Sequence, residues 1–391
     1  MRFTFIAVVW ILALNPFSLP GAAQPPALKF RAVDVDTKIE IGYGLAIADV
    51  DGDGKPDILL ADKKQFVWYR NPSWEKFVLA ENLTKEDNVC IAATDIDGDG
   101  KCEIAVGAGW NPGDTVNSGA VFYLIPPKDR TQKWEAVKLP HEPTVHRMKW
   151  LKNAAGKFDL VVVPLHGRGN KNGVGDGVKV LAYTMPADPR QEWRTTVIDD
   201  SMHMTHNLHP SPIAKGAPPG FFLGGREGIA YLSPPKAKMS LISTNGPNGA
   251  AAGVGELRTG STPSGNLFIA TVEPMHGNQL VVYGDPTWKR IVLDETLVDG
   301  HALACGDLLK TGSDQIVVGW RAMNRPGVKV GIKLFSPLDP AGASWTSTII
   351  DDNTVACEDL VLADLNGDGR LDIIAAGRAT KNVRIFWNEG R

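Results

Sequence analysis

The chain has 391 residues, 43% hydrophobic and 22% charged, with 41 glycines, 27 prolines and a formal net charge of −3. This is apolar material enough for a large packed body, and it excludes a disordered or collagen-like polymer. Lys+Arg 41 against Asp+Glu 44 gives no basic field to hold a phosphate backbone, so nucleic acid is not an expected partner.

In chain order, Met1-Arg2 is followed by an apolar run from Phe3 to Leu14 and then by Gly21-Ala22-Ala23. A positive start, a short apolar core and a small-x-small end predict a secretory signal peptide over 1–23. The expected product is one domain over 24–391, secreted or periplasmic, with an uncleaved amino-terminal anchor as the alternative. No later run approaches the ~18 apolar residues of a membrane span. Four cysteines in an exported chain suggest disulfides, but Cys90 and Cys305 sit in apolar strand patterns, Cys102 at a loop end and Cys357 at a strand start. They read mostly as buried free thiols, with pairing open.

A unit of strand, acidic loop and strand then recurs. The loops are Asp49-Val-Asp-Gly-Asp-Gly-Lys-Pro-Asp57, Asp95-Ile-Asp-Gly-Asp-Gly-Lys-Cys-Glu103 and Asp364-Leu-Asn-Gly-Asp-Gly-Arg-Leu-Asp372. Weaker copies start at Lys152, Pro212, Arg258 and Asp307, so the first loop residues step by 46, 57, 60, 46, 49 and 57. Seven units of this size, each continuing into a third and a fourth strand, predict an all-β, seven-bladed β-propeller. The seventh unit lacks a fourth strand. Lys29 to Thr37 echoes Lys76 to Thr84, so the N-terminal strand is expected to join the last blade and close the ring.

The acidic loops resemble FG-GAP or VCBS repeats, a family of calcium-binding propeller units. Oxygens at positions 1, 3, 5 and 9, with a carbonyl at 7, can surround a hard cation. The expected ligands of structural Ca²⁺ are Asp49, Asp51, Asp53 and Asp57; Asp95, Asp97, Asp99 and Glu103; and Asp364, Asn366, Asp368 and Asp372. The alternative for each loop is a solvated acidic turn.

The opposite face carries a second pattern. Six residues before the loop starts stand Tyr43, Val89, His146, His206, His301 and Glu358, with Ala252 in unit 5. Six residues after the loop ends stand Arg226, Arg321 and Arg378, and one further on His166, Glu227 and Glu273, with Arg168 and His276 close by. Arg147 and His209 complete a predicted funnel of His, Arg and Glu. The bland reading of each is a salt-bridging rim Arg or a capping His, His203 and His209 included. Their convergence points to a ligand site.

Arginines at a pocket mouth suit a carboxylate or the vicinal oxygens of a sugar, and imidazoles can remove and return protons. Together they suit β-elimination, with His206, His301, His146, His166 and Tyr43 as candidate bases and acids. Arg147, Arg168, Arg226, Glu227, Glu273, His276, Arg321, Glu358 and Arg378 are candidate substrate contacts. Neither a Gly-x-Ser-x-Gly elbow nor a His-Glu-x-x-His motif occurs. Paired carboxylates for glycoside hydrolysis are available only as Glu227, Glu273 and Glu358. A divalent metal at the rim, held by His146, His166, His206, His276 and His301, is a second possibility.

The segments His146-Arg147, Pro164-Leu-His-Gly-Arg-Gly-Asn170, His206-Asn207, Gly224-Gly-Arg-Glu-Gly228 and Gly300-His301 resemble the propeller domain of aldos-2-ulose dehydratase. More loosely, they are similar to propeller lyases acting on uronate-containing polysaccharides. The resemblance implies a carbon–oxygen lyase that eliminates water or alkoxide from a keto-sugar or uronide. The cupin-like domains of the dehydratase are not expected here, nor any isomerase activity. The competing expectation is a non-catalytic FG-GAP propeller that binds carbohydrate or protein, a role that aromatics on the rim, such as Trp110 and Trp320, would favour.

Overall fold

The computed structural model describes residues 28–213, 219–233, 239–243, 253–284, 286–323 and 326–390. The leader expected at 1–23 and Ala252 lie outside them. The described strands form seven four-stranded antiparallel sheets. The innermost strands of blades 1 to 7 are Gly44–Ala48, Cys90–Thr94, Val145–Lys152, Thr205–Pro210, Leu257–Ser261, Gly300–Gly306 and Cys357–Ala363. Blades 1 to 6 run outward in chain order. Blade 7 consists of Cys357–Ala363, Asp372–Gly377 and Asn382–Gly390, and its outer strand is Lys29–Asp36 from the other end of the chain.

That closure is antiparallel, with Ala32 opposite Phe386 and Val33 opposite Ile385. Arg384 donates from Nε and Nη2 to the two oxygens of Asp34, each at 2.7 Å. The Asp62 carboxylate then accepts the N–H groups of Glu40, Ile41 and Gly42, which fastens the incoming segment to blade 1. No blade is left short of a strand, so the ring has no open seam.

The wedge between each pair of neighbouring blades is filled by its own apolar cluster. Trp68, Leu59 and Ile104 lie between blades 1 and 2; Trp150, Tyr183 and Tyr123 between 2 and 3; Phe268, Val318 and Ala356 are among those beyond blade 5. The period-2 alternation of the strands produces this, because side chains alternate between the two faces of a radial sheet and both faces meet a neighbour. All four cysteines are free thiols, Cys90, Cys102 and Cys357 buried and Cys305 partly so.

The unit-5 spacing needs one correction. Arg258 does not begin a loop: it lies inside Leu257–Ser261, and the loop follows at Thr262. The loop of that unit is short and carries no acidic residue to mark its start, so the start was set four residues early. The residue six before Thr262 is Glu256, not Ala252.

Candidate functional site at the channel mouth

The two faces of the ring are built differently. On one face the three acidic loops fold alike. Asp49 accepts the N–H groups of Gly52 and Gly54 at 2.7 and 2.8 Å; Asp95 does the same for Gly98 and Gly100, and Asp364 for Gly367 and Gly369. The six glycines have φ between +74° and +85°, a turn that other residues adopt only with strain. In the unit-6 loop Asp307 also accepts two loop N–H groups, of Thr311 and Gly312, each at 2.8 Å, but Leu309, Thr311 and Gln315 stand where the other loops carry their third, fifth and ninth ligand positions.

Within the first two loops, one carboxylate oxygen from each of Asp49, Asp51 and Asp53, and likewise of Asp95, Asp97 and Asp99, lies within 4.8 Å of the others. This oxygen set suits a hard cation. Arg70 sits 2.9 Å from Asp51 and Arg370 2.7 Å from Asp368, whereas among the described residues no such ion pair reaches Asp97 or Asp99. In the third loop the Asn366 amide donates to Asp368 at 3.1 Å. The ninth-position acids also tie each loop to its blade. Asp57 and Asp372 are wholly buried, and their oxygens accept backbone N–H groups of Val50 and Asn71, and of Leu365 and Asn388. Glu103 accepts from Ile96. Burial above all, aided by the neighbouring acids, pushes Asp57 and Glu103 up to about 7 and Asp372 up to about 6.

On the other face, the channel mouth gathers ionisable groups from several blades through one backbone device. In blades 3, 4, 6 and 7 the ladder between the first and second strands shifts register at His146, His206, His301 and Glu358, which are left unpaired between paired neighbours. A bulge at the same point of four blades re-aims four side chains. Glu256 holds the corresponding place in blade 5, with its carbonyl taken by Val272 N–H. It is 2% exposed, and only the misplaced loop start hid it from the sequence.

The imidazoles crowd together. Ring centroids are 4.6 Å apart for His146 and His206, 4.7 Å for His206 and His276, and 4.5 Å for His276 and His301. His146 Nδ1 lies 2.8 Å from the His206 carbonyl, and His301 Nδ1 lies 2.5 Å from the Glu358 carbonyl. A carbonyl only accepts, so in both rings Nδ1 carries the hydrogen and Nε2 keeps a lone pair. His206 Nε2 and His276 Nε2 are 2.6 Å apart, and nitrogens of His206, His276 and His301 fall within 4.8 Å of one another. Burial first, then the neighbouring cations, holds His146, His206 and His301 well below the usual imidazole range and pushes His276 down to about 4. All four are therefore neutral near pH 7, the form that accepts a proton or binds a metal.

Beside them lies a guanidinium cluster. Glu358 accepts from Arg321 at 2.6 Å and from Arg378 at 2.9 Å, and Arg321 also reaches Asp299 at 3.0 Å and His276 Nδ1 at 3.2 Å. The Arg378 guanidinium sits over the Tyr43 ring, 5.3 Å from its centroid. Tyr43 donates to Asp87 at 3.1 Å, and its burial pushes the phenol well above the usual range. Arg147 packs against Glu256 at 3.4 Å.

Other expected contacts are placed elsewhere. Glu273 is buried inside blade 5, bound by Thr271, Tyr283 and Arg290. Glu227 accepts from His203, and Arg226 donates to the Asn172 carbonyl. Arg168 ties loops of blades 2 and 3 through Glu142 and the Val116 carbonyl. With Glu358 held between two arginines, the three glutamates do not form a carboxylate pair for glycoside hydrolysis. His209 lies near Arg258 and Lys149; burial and those cations push it down to about 3. His166 is part-buried and close enough to affect His146, with its Nδ1 buried and unpartnered. Trp110 is half-buried and stacks on His146 at 5.0 Å, which places it at the mouth, whereas Trp320 is 9% exposed, with its indole N–H on the Lys329 carbonyl.

Two family models match parts of the chain. The FG-GAP-like repeat model matches residues 49–106, and the model of the aldos-2-ulose dehydratase beta-propeller domain matches residues 118–285. The chain is a seven-bladed propeller with FG-GAP-like repeats, and it resembles the dehydratase propeller domain. The second match takes in the blade 3, 4 and 5 residues of the mouth: His146, His166, His206, Glu256 and His276. No curated protein matches the chain. Among solved structures, a chain of the mitotic checkpoint complex aligns with a TM-score of 0.58 at 14% identity, covering 98% of this chain and 99% of that one. BBS1N, from its complex with ARL6DN, aligns with a TM-score of 0.56 at 13% identity, covering 92% and 96%. At such identities these two carry the fold alone.

Proposed function

We propose that the chain is an exported carbon–oxygen lyase that performs β-elimination on a keto-sugar or uronide at the channel mouth, with structural Ca²⁺ in the opposite loops. The observation that carries this reading is the set of neutral imidazoles raised on bulges of blades 3, 4 and 6 beside the Arg321–Glu358–Arg378 cluster. The match to a sugar dehydratase's propeller domain supports a carbohydrate substrate.

The donor set at the mouth fits a divalent cation such as Zn²⁺: buried neutral imidazoles, with at least His146 and His301 turning Nε2 away from an engaged Nδ1. Such an ion, when bound, supplies Lewis-acid stabilisation of negative charge on the substrate carbonyl oxygen. The chain's own groups do the remaining work. Arg378, whose side chain is 41% exposed, keeps guanidinium N–H groups beyond its Glu358 contact and orients the carbonyl or carboxylate side of the sugar. His166, held neutral by burial, is assigned the proton on the carbon α to the carbonyl, taken at Nε2 because Nδ1 is buried. Tyr43, held protonated, is assigned the proton that the departing β-oxygen needs. The C–H electron pair becomes the enolate double bond, and its collapse expels water or alkoxide.

The test is an absorbance screen at ~230–265 nm, the region of conjugated enones and unsaturated uronates, using the purified protein with anhydrofructose, 3-keto-glycosides and uronide polysaccharides. A rise with one class establishes the reaction and its substrate. A flat trace on all of them, with sugar binding measured separately, contradicts catalysis and leaves a recognition module.

A further inference from the structure

Resting on that reading of the mouth as a cation-binding centre, we infer that Glu256 is its positioning residue, holding the proton on Nδ1 of His206 so that Nε2 faces the cation. Nothing in the family matches assigns Glu256 a role.

One regularity runs across the blades. His146 of blade 3 leans its Nδ1 on the backbone of the blade 4 bulge, and His301 of blade 6 leans on that of blade 7. By the same step His206 should lean on blade 5, but the Glu256 carbonyl is occupied by Val272 N–H at 3.1 Å. The side chain takes over: Glu256 Oε1 lies 3.5 Å from His206 Nδ1, and both groups are 2% exposed. His206 Nδ1 is buried and has no hydrogen-bond partner within standard geometry, so this carboxylate is the charged group that faces it; at the other end of the ring His276, whose Nδ1 accepts from Arg321, donates from Nε2 to His206 Nε2 and favours the same tautomer. A hydrogen on Nδ1 is attracted by the carboxylate; a lone pair there is repelled.

Glu256 is itself anchored on several sides. Asn207 Nδ2 donates to Oε2, Arg258 Nη1 is 3.5 Å from the same oxygen, and Arg147 Nη2 is 3.4 Å from Oε1. Burial is the largest influence and raises its pKa overall, against the opposing pull of the two guanidiniums. Two of the bulge histidines thus rest on backbone carbonyls and one faces a buried carboxyl group. A carboxylate behind an imidazole raises its basicity as a ligand and fixes the ring's orientation, and loss of such a partner typically weakens metal affinity by roughly 10–100-fold.

The test measures Zn²⁺ and Co²⁺ affinity of the full chain by chelator competition for the wild type and Glu256→Gln, with histidine ¹⁵N NMR of the metal-free wild type. The His206 signals are assigned by their loss in His206→Gln. The inference expects His206 protonated at Nδ1, and affinity lowered roughly 10–100-fold in Glu256→Gln while Ca²⁺ binding is retained. Unchanged affinity in that variant, or a His206 hydrogen on Nε2, overturns it. If Glu256→Gln does not fold, Glu256→Asp, which keeps the charge but draws it back from His206, is measured in its place, and unchanged affinity there overturns the inference. If the wild type binds neither ion, the cation reading fails, and the His206 tautomer compared between the wild type and Glu256→Gln decides whether Glu256 orients His206.

Discussion

The two ends of the central channel use the same seven-fold scaffold in opposite ways. On the loop face each acidic cluster is local: nine consecutive residues supply the carboxylates, the glycines for the turn, and a ninth-position acid that ties the loop to its blade. On the mouth face nothing is local, since His146, His206, Glu256, His276, His301 and Glu358 come from five blades and meet only because the ring closes. A local loop can be lost with little effect elsewhere. A mouth assembled from five blades is sensitive to the placement of every strand, and this is where the costly groups are concentrated.

The contrast predicts graded consequences. The double variant His206→Ala/His301→Ala should lower the elimination rate by roughly 10²–10⁴-fold while its Ca²⁺ content stays that of the wild type. Full activity in that variant would remove the mouth from the mechanism. Glu358→Gln leaves Arg321 and Arg378 without their shared buried anion and should cost about 3–5 kcal/mol in denaturant unfolding. Asp57→Ala removes the acceptor of two backbone N–H groups on the loop face, and about 2–4 kcal/mol is expected, with mouth metal affinity unchanged.

A smaller effect distinguishes the channel interior. His209 is held neutral by burial near Arg258 and Lys149, at about 3 against about 6.5 for a free imidazole. Its folded value is the lower one, so the unfolded chain binds the extra proton, and stability is lost as pH falls from about 6.5 towards 3. His209→Gln should therefore flatten the acid limb of stability by up to about 1.4 kcal/mol per pH unit; parallel limbs would exclude His209 as a cause. Least affected should be Arg168→Ala, which breaks an exposed tie between loops of blades 2 and 3 and should cost under about 1 kcal/mol.

What was legible in the sequence follows from the same contrast. The acidic loops and the blade count could be read directly, because each is a contiguous pattern repeated at blade-sized intervals. The alignment of His146, His206, His301 and Glu358 was also visible, because bulges at one point of the strand keep a constant distance to the loop. The mouth residue missed was Glu256, since the short loop from Thr262 has no Asp-Gly signature from which to count back. Side-chain direction was not legible either. Glu273 and Glu227 stand one position past the second-strand arginines in sequence, yet Glu273 turns into blade 5 towards Arg290 and Glu227 towards His203.

The central claim is that chemistry resides at the mouth. Its most direct test is diffraction from crystals soaked with an eliminable keto-sugar. The account predicts sugar density against Arg378, with its carbonyl side facing the His206, His276 and His301 imidazoles. Density instead at the acidic loops, or in the cavity of about 460 Å³ lined by Trp150, Pro210 and Phe221 between blades 3 and 4, with an empty mouth, would contradict it.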